Sequence, residues 1–153
     1  MSAEAVLAAA RTRGWRIVAA ESCTGGGLMA ALTDIPGSSD VVDRGFVTYS
    51  NAAKMQMLGV REDTLSSHGA VSEETAREMA SGALARSEAE IAVSITGIAG
   101  PGGSDHKPEG MVCFGLATAQ QVVAETCQFG AIGRAAVRRA SVDHALTMLL
   151  ARL

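Results

Sequence analysis

The sequence predicts a three-layer α/β/α domain: a mixed, mostly parallel sheet with one antiparallel hairpin and helices on both faces. Three observations predict it. Short β-rich runs alternate with helical stretches over the first two thirds of the chain. Two β-rich runs separated only by a polar turn follow, and a long helical pattern closes the chain. Alternation implies crossover connections and parallel strands, while the polar turn implies an antiparallel pair. At 153 residues the chain is read as one domain, residues 1–153, able to bury roughly 70% of its unfolded surface.

Each element has a local cause. Ser2 is a capping residue for a helix running to about Arg13, with Gly14 as its stop. Trp15 to Ala20 is a short β-rich run. Gly25, Gly26 and Gly27 then open an apolar helical stretch through Leu28, Ala31 and Leu32. The segment from Thr33 to Ser38, with Asp34, Pro36 and Gly37, is a loop. Gly45 to Tyr49 is a second strand, running into a short helix from Asn51 to Leu58 that Gly59 ends. Arg61 to Ser67 is a further helical piece. Ser72, followed by Glu73 and Glu74 in the positive first turn, starts a helix to about Arg86. Ile91 to Thr96 is a buried strand that empties into a long irregular segment, Gly97 to Gly110. Met111 to Ala117 and Val122 to Cys127 form the hairpin. From Arg134 the pattern is helical, with Val137, Ala140, Leu146, Leu149 and Leu150 on the apolar side.

Composition narrows the class of function. Hydrophobic residues make up 48% and charged residues 19%, which argues against disorder. A net charge of −3 gives no general attraction for nucleic acid or an anionic membrane. Cys23, Cys113 and Cys127 are an odd number without paired spacing, as expected of reduced thiols in the cytoplasm. The first residues lack the positive region of a secretory signal, and no apolar run reaches the length of a membrane span.

Three strand-end junctions carry the polar chemistry, at the edge of the sheet where ligands usually bind. In the first, Ser22, Cys23 and Thr24 set three nucleophiles or donors at one turn, and Gly25 and Gly26 let a substrate approach free backbone N–H groups. Ser22 or Thr24 could equally cap the helix. In the second, Ser50 and Lys54 are four apart and share a helical face. Lys54 is a general base only if burial or nearby positive charge lowers its pKa; otherwise it is a solvated surface charge. In the third, Gly97 to Gly103 could wrap a phosphate or form a mobile loop. His68, His106 and His144 are scattered, with no metal-ligand spacing. Cys23 and Ser50 remain rivals to Ser22.

Four motifs in order give these residues a context: Ala20 to Gly26; Gly45 to Asn51 followed by Lys54; Gly69-Ala70-Val71-Ser72; and Ser94 to Pro101 with Lys107-Pro108 and Gly110. Together they resemble the C-terminal domain family of the competence/damage-inducible protein CinA, whose stand-alone members are nicotinamide mononucleotide (NMN) deamidases. The resemblance implies hydrolysis of the NMN carboxamide to nicotinic acid mononucleotide and ammonia, within pyridine nucleotide recycling. It implies no catalytic metal and a homo-oligomer of two or more copies; no cofactor is expected, and charge and hydropathy leave no nucleic-acid or membrane partner expected. The family's serine falls on Ser22, its lysine on Lys54 and its strand-end threonine on Thr96.

The mechanism expected from that resemblance has Lys54 deprotonate Ser22, with N–H groups near Thr24 and Gly25 holding the oxyanion. Lys54 or Tyr49 returns the proton to ammonia, and Glu21 orients Lys54 or binds ribose. Gly97, Gly100, Arg134 and Arg138 are candidates for the phosphate. The chain departs from the family at one place: Gly133 precedes Arg134 where an aspartate is common. The competing reading is a non-catalytic nucleotide-binding or interaction module.

Overall fold

The computed structural model describes residues 2–153. Five strands form one sheet in the order β2-β1-β3-β4-β5, where β1 is Ile17–Glu21, β2 Val42–Val47, β3 Ile91–Gly97, β4 Met111–Thr118 and β5 Val122–Gln128. The β1–β2 and β1–β3 pairs are parallel, and β3–β4 and β4–β5 are antiparallel. Only β4 therefore runs against the others, and β4–β5 is the expected hairpin. The helices are α1 (Ala3–Arg13), α2 (Gly27–Thr33), α3 (Asn51–Leu58), α4 (Glu62–His68), α5 (Glu73–Ala85) and α6 (Arg134–Arg152).

Alternation along the strands divides the core in two. Ile17 and Ala19 of β1, with Ile91, Val93 and Ile95 of β3, face α1, α2 and α6 and meet Leu7, Leu28, Leu32, Val137 and Leu149. Val18, Ala20 and Ala92 face the other way, against Leu58, Leu65, Met79, Ala80 and Ala83. Both faces of β1 and β3 are buried, which is why apolar residues fill both sides of each strand, broken only by Glu21 in β1 and by Ser94 and Thr96 in β3. Of the residues expected on the apolar side of α6, Val137, Leu146 and Leu149 are buried; Ala140 and Leu150 are half-buried.

Local signals operate as expected at most ends. Ser2 Oγ accepts from the N–H groups of Glu4 and Ala5, and Gly14 closes α1 at φ 72°. Ser72 Oγ accepts from Thr75 N at 3.1 Å at the start of α5. The second strand begins earlier than its sequence suggests, at Val42, and ends at Val47 rather than Tyr49. Asp43 and Arg44 hide it: the Asp43 carboxylate is buried, bonds Arg44 Nε at 2.8 Å and accepts from Glu88 N. The first strand is shifted likewise, to Ile17–Glu21, and Trp15 is held by its N–H to Ala10 O.

One close approach sets the spacing of helix and sheet. A Cβ on Gly115 of β4 would collide with Ala76 O of α5 and lie 2.6 Å from Ser94 Oγ. Glycine there lets α5 settle onto the sheet, and Ser94 Oγ donates to Ala76 O at 2.6 Å across the same gap.

Candidate active site

Parallel pairing brings the ends of β1, β2 and β3 to one edge, and β4 starts and β5 ends there too. The ladder continues past the strands. Ser22 N donates to Ile95 O at 2.9 Å, and Thr48 N to Glu21 O at 2.8 Å. The backbones that precede Ser22 and Lys54 are thereby locked to one another before any side chain is considered.

Lys54 is on the first turn of α3, 1% exposed and among the largest of the fully buried side chains. Its Nζ lies 2.9 Å from Ser22 Oγ, 2.6 Å from Thr48 O and 3.4 Å from Tyr49 O. A neutral amine has two N–H donors and one lone pair. As an ammonium Lys54 donates to the two carbonyls and to the Ser22 hydroxyl; as a neutral amine it keeps the two carbonyls and turns its lone pair toward that hydroxyl. Burial lowers the Lys54 pKa to about 8, which the nearby Cys23 thiol only partly opposes.

The other nucleophiles are accounted for by geometry. Burial pushes the Cys23 thiol up to about 11, so it stays protonated at neutral pH. Ser50 is the cap of α3, its Oγ accepting from Ala53 N at 3.0 Å, and only its backbone carbonyl meets Lys54, through the helical N–H. The shared helical face expected of Ser50 and Lys54 is therefore not formed, because a cap residue sits outside the helix.

A cavity of about 340 Å³ opens over this pair. Ser22, Lys54, Tyr49, Thr96, Gly97, Gly100 and Arg134 line it, as the sequence reading expects; Cys23, Val71 and Lys107 also line it. Tyr49 is 61% exposed at the rim, and its hydroxyl accepts from Arg134 NH2 at 2.8 Å. Arg134 NH1 donates to Gly100 O at 2.6 Å, tying α6 to the glycine loop. Thr96 Oγ1 donates to Ala70 O at 2.8 Å, a strut between β3 and the turn before α5.

The loop between β3 and β4 is cross-tied. Ile98 N donates to Met111 O, Gly110 N to Ile98 O, and Gly102 N to a Glu109 carboxylate oxygen. Lys107 Nζ donates to His68 O and Val71 O. Among the described residues the N–H groups of Ala99, Gly100 and Gly103 have no protein acceptor, and all three residues line the cavity. Lys107 carried no site role in the sequence reading, although Lys107-Pro108 stood in a quoted motif. Nothing in local spacing shows that its ammonium reaches a turn 36 residues away.

Six residues expected at the site lie outside the cavity lining: Ser50, Glu21, Thr24, Gly25, Gly26 and Arg138. Glu21 neither touches Lys54 nor faces a ligand: its buried carboxylate accepts from Thr24 Oγ1 at 2.6 Å and from the N–H groups of Gly26, Leu28 and Met29. It caps α2 from the preceding strand, a role the sequence reading gave to Ser22 or Thr24. The Thr24 hydroxyl is engaged by that carboxylate. The Gly25 N–H is taken by Ser22 O at 3.0 Å and so is not an oxyanion donor, while the Gly26 N–H goes to Glu21. Among the described residues the N–H groups of the turn without a backbone acceptor are those of Cys23, which meets only its own thiol, and Thr24. Arg138 reaches the turn from behind, bonding the carbonyls of Cys23 and Thr24 rather than facing a phosphate.

Gly133 starts α6 at φ 100° without a side-chain cap, at the place where the sequence lacks the family's aspartate. Among the described residues no three His, Cys, Asp or Glu side chains are grouped to hold a metal ion, and no helix is long and apolar enough to cross a membrane.

Comparison with known proteins gives this geometry its relatives. The chain is 53% identical over 149 residues to the nicotinamide-nucleotide amidohydrolase PncC of Escherichia coli strain K12, covering 95% of this chain and 89% of that protein. It is 59% identical over 113 residues to a CinA-like protein of Chloroherpeton thalassium, of whose length the match spans only 27%. Its fold superposes on the competence/damage inducible protein CihA from Agrobacterium tumefaciens with a TM-score of 0.94 at 50% identity, covering 97% and 92% of the two chains. The family model of the CinA C-terminal domain matches residues 1–153. The chain belongs to the CinA C-terminal domain family.

Proposed function

We propose that the chain is a nicotinamide-nucleotide amidase that hydrolyses NMN to nicotinic acid mononucleotide and ammonia. One observation carries the proposal: a buried lysine with a lowered pKa sits 2.9 Å from a serine hydroxyl on the floor of an open cavity. The name of the 53% identical Escherichia coli relative supports the substrate.

Neutral Lys54 takes the Ser22 proton as Ser22 Oγ bonds to the carboxamide carbon. The carbonyl electrons move onto oxygen, which meets the N–H groups of Cys23 and Thr24. The Lys54 ammonium returns its proton to the amide nitrogen, the C–N bond breaks, and ammonia leaves an ester on Ser22. Water attacks that ester while Lys54 accepts its proton. The acyl–oxygen bond breaks, Lys54 reprotonates Ser22, and the carboxylic acid gives its proton to solvent and leaves as the carboxylate. Tyr49 accepts from Arg134 and so keeps its own O–H free to donate at the rim, as the second proton source. Arg134 and the free N–H groups of Ala99, Gly100 and Gly103 take the phosphate.

In this reading the enzyme works in the cytoplasm, in pyridine nucleotide recycling, as a homo-oligomer of two or more copies and without nucleic acid or membrane. A non-catalytic binding module has no use for a lysine held dry against a serine, since the buried amine destabilises the fold. Ammonia release from NMN, with free nicotinamide and NAD as controls, tests the reading. Release from NMN well above both controls is expected. NMN binding without turnover would return the chain to the module reading.

A further inference from the structure

Arg138 sits one turn into α6, on the far side of the Ser22 to Gly26 turn from the cavity. Its Nε donates to Cys23 O and its NH2 to Thr24 O, both at 3.1 Å. In a trans peptide the C=O and the following N–H point in opposite directions. Among the described residues the only cis bond is Gly100–Pro101, so the peptides of this turn are trans. Holding Cys23 C=O toward α6 therefore turns the Thr24 N–H away from α6. The neighbouring plane is fixed as well, because Ser22 O accepts from Gly25 N and the Cys23 N–H faces away from that bond.

Thr24 is 1% exposed and Cys23 6% exposed, yet among the described residues the Thr24 N–H has no protein acceptor and the Cys23 N–H meets only its own thiol. Buried donors without partners are rare and costly, and beside a nucleophile their natural partner is an oxygen brought by the substrate. The Cys23–Thr24 plane has no strand or helix ladder to hold it. The guanidinium holds it from outside.

We infer that Arg138 is a positioning residue for the hydrolysis proposed above, fixing the Cys23–Thr24 peptide so that the Thr24 N–H joins the Cys23 N–H in facing the oxyanion. This rests on the reading of Ser22 as nucleophile. Arg138 touches no substrate and acts through two backbone carbonyls. Its planar fork spans adjacent carbonyls, which the single ammonium of a lysine does not reproduce.

The test uses the full chain as wild type, Arg138→Ala and Arg138→Lys, all confirmed folded by thermal unfolding. Steady-state NMN hydrolysis is measured alongside the rate at which a fluorophosphonate modifies Ser22, followed by intact mass and peptide mapping. Phosphonylation also builds negative charge on oxygen and needs no nucleotide. Loss of oxyanion alignment should lower kcat for Arg138→Ala about 100-fold with KM changed less than about threefold, and slow labelling in parallel. Arg138→Lys should recover less than about tenfold. Added guanidinium at millimolar concentration, below denaturing levels, should raise the rate of Arg138→Ala and leave Arg138→Lys unchanged.

Wild-type kcat and labelling in Arg138→Ala would overturn the inference, as would a loss confined to KM. A rate loss that guanidinium does not relieve, accompanied by a matching loss of thermal stability, would reduce Arg138 to a structural tie and overturn it too. If the wild type is labelled at Ser22 but leaves NMN intact, the substrate reading fails and Arg138 is judged on labelling alone. If neither occurs, Ser22 is not a nucleophile and both readings fall.

Discussion

Lys54 sets the behaviour of the site because burial works against its charge. With its pKa brought down from 10.5 to about 8, about one lysine in ten is neutral at pH 7. The log of kcat/KM should therefore rise with unit slope below about pH 8 and level off above it, as read from a pH–rate profile with NMN. A flat profile across pH 6 to 9 would remove Lys54 as the base. The same shift has a stability counterpart. The unfolded chain binds a proton more tightly than the fold does, so folding gains stability as pH rises from about 8 to 10.5. At about 1.4 kcal/mol per pKa unit the full effect is about 3 kcal/mol. Urea unfolding of the wild type, referenced to Lys54→Met at each pH, should show that gain for the wild type alone.

At the scale of elements, α2 depends on a residue outside it. Its cap position is Gly26, which has no side chain, and Glu21 at the end of β1 supplies the acceptor for Gly26, Leu28 and Met29. A carboxylate at the positive end of a helix is favourable, and removing it leaves buried donors unpaired. Glu21→Ala should lose about 3 kcal/mol of stability in urea unfolding, because Thr24 Oγ1 is orphaned together with those N–H groups. An effect below about 1 kcal/mol would mean water replaces the carboxylate. Legibility in the sequence divides along the same line. Ser2, Ser50 and Ser72 cap helices that begin beside them, so local spacing finds the helices, although Ser50 was read as a reactive group. Glu21 and Arg138 act across strand–helix or helix–turn contacts, and local spacing holds no trace of that. Asp43 and Arg44 hid the start of β2 because their partners, Arg16 and Glu88 for Asp43 and the Arg86 carbonyl for Arg44, are distant in sequence.

For the whole molecule, sheet topology carries the function. Two parallel crossovers deliver Ser22, Tyr49 and Thr96 to one edge, and the hairpin returns the chain so that α6 begins with Arg134 at the same place. Alternating strands and helices made that convergence readable, whereas the inward reach of Lys54 required the packed structure. The layers are close where Gly115 meets α5, so Gly115→Ala must push Ala76 away from the sheet. Such overpacking should cost about 1–3 kcal/mol and lower the thermal midpoint by several degrees. An unchanged midpoint would show that α5 is free to shift.

The central claim is that Ser22 attacks the carboxamide with Lys54 as its base. Ammonia release from saturating NMN by the wild type and by Ser22→Ala, both checked for equal thermal stability, tests it most directly. The variant should be slower by about 10³-fold or more. A folded Ser22→Ala that releases ammonia within tenfold of the wild type would contradict the account.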